Sequence, residues 1–188
     1  MSIPIKTPDE IESMRVSCRA AREVLEEVSL AVVPGVSTGE IDRLAARLIN
    51  DRGGRSPFLG LRGFPGHICI SINEEVVHGI GGARRIQYAD IVKLDIGIQL
   101  RGWIGDTATT IPVGVVSPAI TRLLDTTQAA LAVGIEQARP GNRIYQISEA
   151  IEKYVVRNGY SVVREFVGHG VGRSLHEEPH VPNYGRDE

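Results

Sequence analysis

Two aspartates, Asp95 and Asp106, stand on either side of the dipeptide Arg101-Gly102. Asp95 interrupts a run in which Val92, Leu94, Ile96, Ile98 and Leu100 are apolar while Lys93, Asp95, Gly97 and Gln99 face the other way. That alternation is the signature of a strand with one buried face. Aspartate is unfavourable in strands, so its presence there asks for a chemical reason. A two-residue loop at Arg101-Gly102 sets Asp95 opposite Ala108 and Asp106 opposite Gly97. Both carboxylates then project from one face as diagonal neighbours, ~7–8 Å apart at the backbone. Converging carboxylates repel unless a proton or a cation lies between them. A pair of divalent metals, ~3.5–4 Å apart and bridged by carboxylates and water, resolves that conflict. Two exposed aspartates on a solvated face beside Lys93 are the plainer alternative.

The histidines supply the second signal. His169 lies in Phe166-Val-Gly-His-Gly-Val-Gly, His176 follows seven residues later, and His78 also adjoins glycine. Neutral imidazole binds zinc, manganese, iron or cobalt, and flanking glycines let a backbone approach a site closely. The stretch His176-Glu-Glu-Pro-His180 satisfies H-E-x-x-H, but Pro179 denies it the helix interior that a zinc peptidase of that type needs. No G-x-x-x-x-G-K-[ST] phosphate loop and no G-x-S-x-G serine elbow occurs.

Helices and strands must position these groups. Thr7, Pro8 and Glu10 predict a capped helix whose stripe is Ile11, Met14, Cys18, Ala21, Leu25, Val28 and Val32, ended by Pro34-Gly35. Ser37 and Glu40 cap a second helix that ends at Arg52-Gly53-Gly54. The middle of the chain reads as β: His67–Ile72, a turn at Asn73-Glu74, a short strand at Val76–His78, then Ile91–Leu100 and Trp103–Val113. Ser117-Pro118 opens a third helix with the stripe Ile120, Leu123, Leu124, Thr127, Leu131 and Ile135. A fourth carries Ile144, Ile147, Ile151, Tyr154 and Val155, followed by a strand at Tyr160–Phe166 and a glycine-rich loop at Gly168–Gly172.

The order long helix, Pro34-Gly35, short helix, Gly53 recurs as long helix, Pro140-Gly141, short helix, Gly159, offset by 106 residues. We read one domain over residues 1–188, with a first repeat at about 7–116 and a second from about 117. The first half continues through a hairpin, whereas 29 residues follow Gly159. The second half is therefore expected to lack its C-terminal hairpin, and the chain to be C-terminally truncated.

Composition sets the frame. A chain of 188 residues with 42% apolar and 23% charged residues suffices for a packed core. No apolar run approaches the ~18 residues of a membrane span, and the N-terminus has no secretory h-region. Net charge is −2 and the densest basic patch is Arg84-Arg85, read as a solvated turn, so neither a nucleic-acid nor a membrane partner is expected. Two cysteines, Cys18 and Cys69, form no disulfide framework and fit a reducing cytoplasm.

Together these residues resemble type I methionine aminopeptidase. The resemblance rests on Phe166, Gly168-His169-Gly170-Val171-Gly172, His176, Val181, Asn183 and Tyr184, on the two aspartates, and on Cys69-Ile-Ser-Ile-Asn-Glu and Val77-His78-Gly79; it covers essentially the whole chain. It implies an α/β (α+β) pita-bread fold of two pseudo-symmetric halves, the second incomplete here. It also implies removal of the initiator methionine from nascent chains, with Asp95, Asp106 and His169 as three of five ligands to two divalent metals (Co, Mn, Fe or Zn). The other two ligands, both glutamates and one of them the general base, would lie beyond Glu188. By the same resemblance His78 contacts substrate near the scissile bond, and His176 stabilises the tetrahedral intermediate. Phe58, Leu61, Phe64, Cys69 and Leu175 match the methionine pocket, although Leu61 and Phe64 are often tyrosine in similar enzymes. The implied partners are nascent N-termini, the ribosome, and a complementary C-terminal fragment without which the isolated chain is expected to be weak or inactive. The rival readings are another pita-bread peptidase, such as a proline-specific aminopeptidase, and a non-catalytic binding module of the same fold.

Overall fold

The computed structural model describes residues 3–185, in two compact units. The first comprises Ile5–Val116 with Val171–Leu175; the second contains Ser117–Gly170 and the described chain from His176 on.

The first unit opens with α1, Pro8–Leu30, and α2, Thr38–Asp51. Each begins with a reciprocal capping box, Thr7 with Glu10 and Ser37 with Glu40, so orphan amides of the first turn are satisfied locally. Three strands follow: β1 (Cys69–Ile72), β2 (Ile91–Leu100) and β3 (Trp103–Pro112), antiparallel in the order β1-β2-β3. Val92, Leu94, Ile96 and Ile98 of β2 are fully buried with Ile70 and Ile72 of β1 against Leu25, Ile41 and Ile49 of the helices. Each such side chain contributes ~1.5–3 kcal/mol of burial. Arg101 and Gly102, with φ of 52° and 81°, form the two-residue β2–β3 loop with the left-handed backbone that matches strand twist. The resulting register sets Asp95 opposite Ala108 and Gly97 opposite Asp106, as the loop length requires.

Some local expectations are overturned. Ser17, Ala20 and Val24 belong to the buried face of α1, whereas Ile11 and Cys18 are exposed. The cause is Gly105 on β3: a Cβ there would lie 2.4 Å from the carbonyl oxygen of Ser17, so helix backbone rests directly on strand backbone and small residues occupy the contact. Val76–His78 is not a strand, because His78 adopts φ 60° and breaks the pleat. β1 begins at Cys69 rather than His67, since the amides of His67 and Ile68 donate to the Asp42 carboxylate at 2.7 and 3.0 Å.

The second unit holds α3 (Pro118–Gln137), α4 (Ile144–Arg157) and a two-stranded antiparallel pair, β4 (Gly168–Gly170) and β5 (Glu177–Val181). The α3 face that packs is Thr126, Ala130 and Gly134, while Leu131 and Ile135 are exposed. Close approach of α4 explains this, because a Cβ on Gly134 would meet the Ile151 side chain at 2.8 Å. Tyr160–Phe166 is not a strand; no strand lies beside it among the described residues, whereas β5 returns to pair with Gly168–Gly170. The H-E-x-x-H stretch lies on and beside β5, in agreement with its proline. Gly35 and Gly141, the turn glycines of the repeat, share φ of 91° and 92°.

The backbone contact at Gly105 yields a stability prediction. Gly105→Ala is expected to cost about 3 kcal/mol or more, because backbone and not a side-chain end must move. Gly82→Ala, with nothing near its Cβ position, stays within about 0.5 kcal/mol. Urea midpoints of the two variants check the contrast.

Candidate metal centre

Asp95 and Asp106 are brought together in the first unit by the β2–β3 register. Burial, first of all, and then the Asp106 charge and a hydrogen bond with Asp106 push the Asp95 carboxyl up to about 7. Below about 7 the Asp95 carboxyl thus keeps its proton beside Asp106. Their field extends to the neighbouring thiols. Cys69, opposite Asp95 in the β1–β2 register, is pushed up to about 12 by burial and then by Asp95, Asp106 and Asp42. Cys18 is raised by burial and then by Asp106. Both thiols are therefore protonated at neutral pH and are poor nucleophiles. A desolvated carboxylate pair that retains a proton is a donor set that a divalent cation satisfies in the proton's place, so these residues fit such an ion.

The imidazoles lie in the second unit. His169, on β4, places Nδ1 2.9 Å from the carbonyl oxygen of Gly170. A carbonyl only accepts, so Nδ1 carries the proton and Nε2 the lone pair, the arrangement a metal-binding histidine needs. His176 packs its ring on that of His169, with centroids 4.3 Å apart. Within either unit, among the described residues, no three His, Cys, Asp or Glu side chains come together to hold a metal. His78 is exposed, on a left-handed backbone just before Gly79. A Cβ at Gly79 would lie 2.1 Å from the Ile70 carbonyl oxygen, so that segment runs hard against β1.

The methionine-pocket candidates divide. Leu61, in a 3-10 turn at Leu61–Gly63, and Leu175 both line a cavity of about 630 Å³ in the first unit. Phe58, Phe64 and Cys69 do not line it. Phe58 is 7% exposed, and its ring lies against Gly97, where a Cβ would approach to 2.7 Å. Phe64 is half-buried and Cys69 buried. The sequence reading missed Asp42, which also accepts from His67 Nδ1 at 3.0 Å, and missed Arg55, Gln99 and Arg173 around the cavity. Asp42 and His67 are 25 residues apart, and nothing in local pattern pairs them.

The sequence matches metallopeptidase family M24 over residues 12–188. The chain belongs to that family. Methionine aminopeptidase 1 of Bacillus subtilis is 47% identical over 180 residues, which are 96% of this chain and 73% of the relative. A crystal structure of methionine aminopeptidase from Rickettsia prowazekii superposes with a TM-score of 0.96 at 38% identity, over 99% of this chain and 75% of that one. The Xaa-Pro dipeptidase from Bacillus anthracis shares the fold, with a TM-score of 0.82, at 24% identity over 95% of this chain and 49% of that one. The fold is thus the expected pita-bread fold. The relatives support an aminopeptidase, hence a hydrolase, and membership of M24 implies a divalent metal cofactor.

The carboxylate pair gives the metal-free protein a distinctive pH response. Asp95 stands above its ordinary value of 3.8 when folded, so the folded chain keeps a proton that the unfolded chain has lost across the interval. The contribution of Asp95 to stability is therefore highest below about 4 and falls as pH rises to about 7. Asp106→Asn removes the neighbouring charge and is expected to lessen that slope while burial keeps part of it, as read from urea midpoints against pH. A slope of the opposite sign, or one that Asp106→Asn leaves intact, contradicts the assignment.

Proposed function

We propose that this chain removes N-terminal methionine from nascent polypeptides, with Asp95, Asp106 and His169 as ligands to two divalent cations. The observation that carries the reading is the β2–β3 register, which sets Asp95 and Asp106 as diagonal neighbours on one sheet face. Family membership and relatives that are methionine aminopeptidases support the substrate class. Divalent cations bound there supply Lewis acidity toward water and toward a peptide carbonyl.

The remaining roles belong to the chain's own side chains. Asp95 and Asp106 concentrate negative charge on one sheet face, which attracts cations and the free α-ammonium of a substrate. His169 presents Nε2 because Gly170 fixes its tautomer. His78 hydrogen-bonds the peptide beside the scissile bond. His176 donates to the carbonyl oxygen as it gains negative charge, the contribution of an oxyanion donor. Leu61 and Leu175 give the methionine side chain apolar surface. We place the activity in the cytoplasm, in keeping with two free cysteines. No helix among the described residues is long and apolar enough to cross a membrane.

Manganese or cobalt is expected to raise the melting temperature of the purified chain and to support release of methionine from Met-Ala-Ser in preference to cleavage of Xaa-Pro peptides. Asp106→Ala is expected to weaken metal binding by more than the ~10–100-fold that loss of an outer-shell partner costs. Calorimetric titration of the metal together with the peptide panel checks both. Preferential Xaa-Pro cleavage, or unchanged metal affinity in Asp106→Ala, overturns the reading.

A further inference from the structure

Residues 56–67 form a loop that carries Phe58, Leu61 and Phe64 and is tied down at both ends. Just before it, Arg55 is bridged to Gln99 of β2. The Arg55 amide donates to the Gln99 carbonyl at 3.0 Å, and the Gln99 amide donates to the Arg55 carbonyl at 2.8 Å. The Ser56 hydroxyl then closes the base of the loop. It donates to the His67 carbonyl at 2.6 Å and accepts from the Phe58 amide at 3.1 Å. At the far end Asp42, from α2, takes the His67 and Ile68 amides on Oδ1 and the His67 ring on Oδ2. The Asp42 side chain is 14% exposed, so these bonds form where little water competes.

Between the two clamps the loop is braced by its own backbone. The Gly60 amide donates to the Phe64 carbonyl at 2.8 Å. The Leu61 amide donates to the Phe58 carbonyl, and the Phe64 amide to the Leu61 carbonyl, both at 2.9 Å. A compact loop of this kind moves as a body, so its base sets where its side chains stand.

Phe58 stands on the carboxylate face of the sheet. Gly97 is opposite Asp106 and two residues from Asp95, so a Cβ at Gly97 would point to the same side as both carboxylates. Pro57 and Phe58 fill that position, each with an atom 2.7 Å from where the Cβ would lie. The residue that the ring covers is thus ~6.6–6.8 Å along the strand from Asp95. A ligand whose α-ammonium lies at the carboxylates spans such a distance with an unbranched side chain, and a thioether at a ring edge makes a favourable contact. Leucine is shorter and has no sulfur.

We propose that Ser56 and Asp42 are positioning residues for recognition of the methionine side chain, acting through Phe58. The assignment rests on the methionine reading, which supplies the ligand. Loss of either clamp frees the base of the loop, and the ring is no longer held over Gly97 at the distance that separates methionine from leucine.

The test uses the manganese-loaded chain and two ligands that it does not consume, L-methionine and L-leucine, each titrated by calorimetry. The unsubstituted chain is expected to bind methionine more tightly. Ser56→Ala lowers the ratio of the two affinities by about three- to tenfold, the order of one hydrogen bond. Ser56→Thr, which keeps the hydroxyl, restores it. Asp42→Asn still accepts the amides but gives up the charge that faces His67, and lowers the ratio less. Manganese affinity stays the same in each variant, because Asp95 and Asp106 belong to β2 and β3. General destabilisation weakens both ligands alike, so the ratio separates positioning from folding, and Asp42→Asn carries the comparison if Ser56→Ala does not fold. A methionine preference that survives these substitutions overturns the positioning role and leaves the methionine reading standing. A loss of manganese affinity that accounts for the loss of methionine binding overturns the action through Phe58. Absence of methionine binding, or of a preference for it, in the unsubstituted chain overturns both readings.

Discussion

The hairpin between β2 and β3 holds two carboxylates side by side on one sheet face, where burial and the Asp106 charge push the Asp95 carboxyl up, and the rest of the structure answers to that constraint. Asp95 and Asp106 are diagonal neighbours because a two-residue loop joins their strands. The loop accepts a positive φ at Arg101 as well as at Gly102, so the tight turn that fixes the register is kept in spite of a side chain that disfavours it. Opposite Asp95, Cys69 stays protonated, and on α1 Cys18 feels the same field. A sheet face with this potential is a place for cations and for ammonium groups, which is what an aminopeptidase of a metallopeptidase family needs.

Each unit prepares a different chemical type on similar scaffolding. Both join two helices through a Pro-Gly turn, with left-handed glycines at Gly35 and Gly141. The first unit adds a sheet whose long hairpin presents carboxylates; the second adds a short β4–β5 pair that presents His169 and brings His176 against it. Close backbone contact recurs in the first unit, at Gly105 on α1, Gly97 on Phe58 and Gly79 on β1. These contacts leave β2 and β3 little freedom to slide, and a sheet that cannot slide keeps its carboxylates paired.

The same two strands also anchor the segments that flank them. Gln99 sits on β2, so the bridge that fixes Arg55 is built on the strand that carries Asp95. Ile104, which anchors the Arg173 loop, belongs to β3, the strand of Asp106.

Much of this was legible from the sequence because its causes are local. Capping at Thr7 and Ser37 depends on a glutamate three residues on, the β2 pattern on a period of two, and the facing of Asp95 and Asp106 on a loop of two residues. Those relations survive in any chain that folds at all. The features that escaped have partners far along the chain. Ser17 is buried and Ile11 exposed because Gly105 admits helix backbone, and α3 turns Ala130 and Gly134 inward because Ile151 arrives there. Val76–His78 and Tyr160–Phe166 carry strand-like residues yet form no strand, since a strand exists only with a hydrogen-bonding neighbour. The sequence by itself determined the helix caps, the two-residue turn and the facing of Asp95 and Asp106. Tertiary structure alone decided which helix face is inward, where Arg55 and Arg173 stand, and how Asp42 holds His67, because these depend on close packing between segments whose separation along the chain leaves no periodic trace.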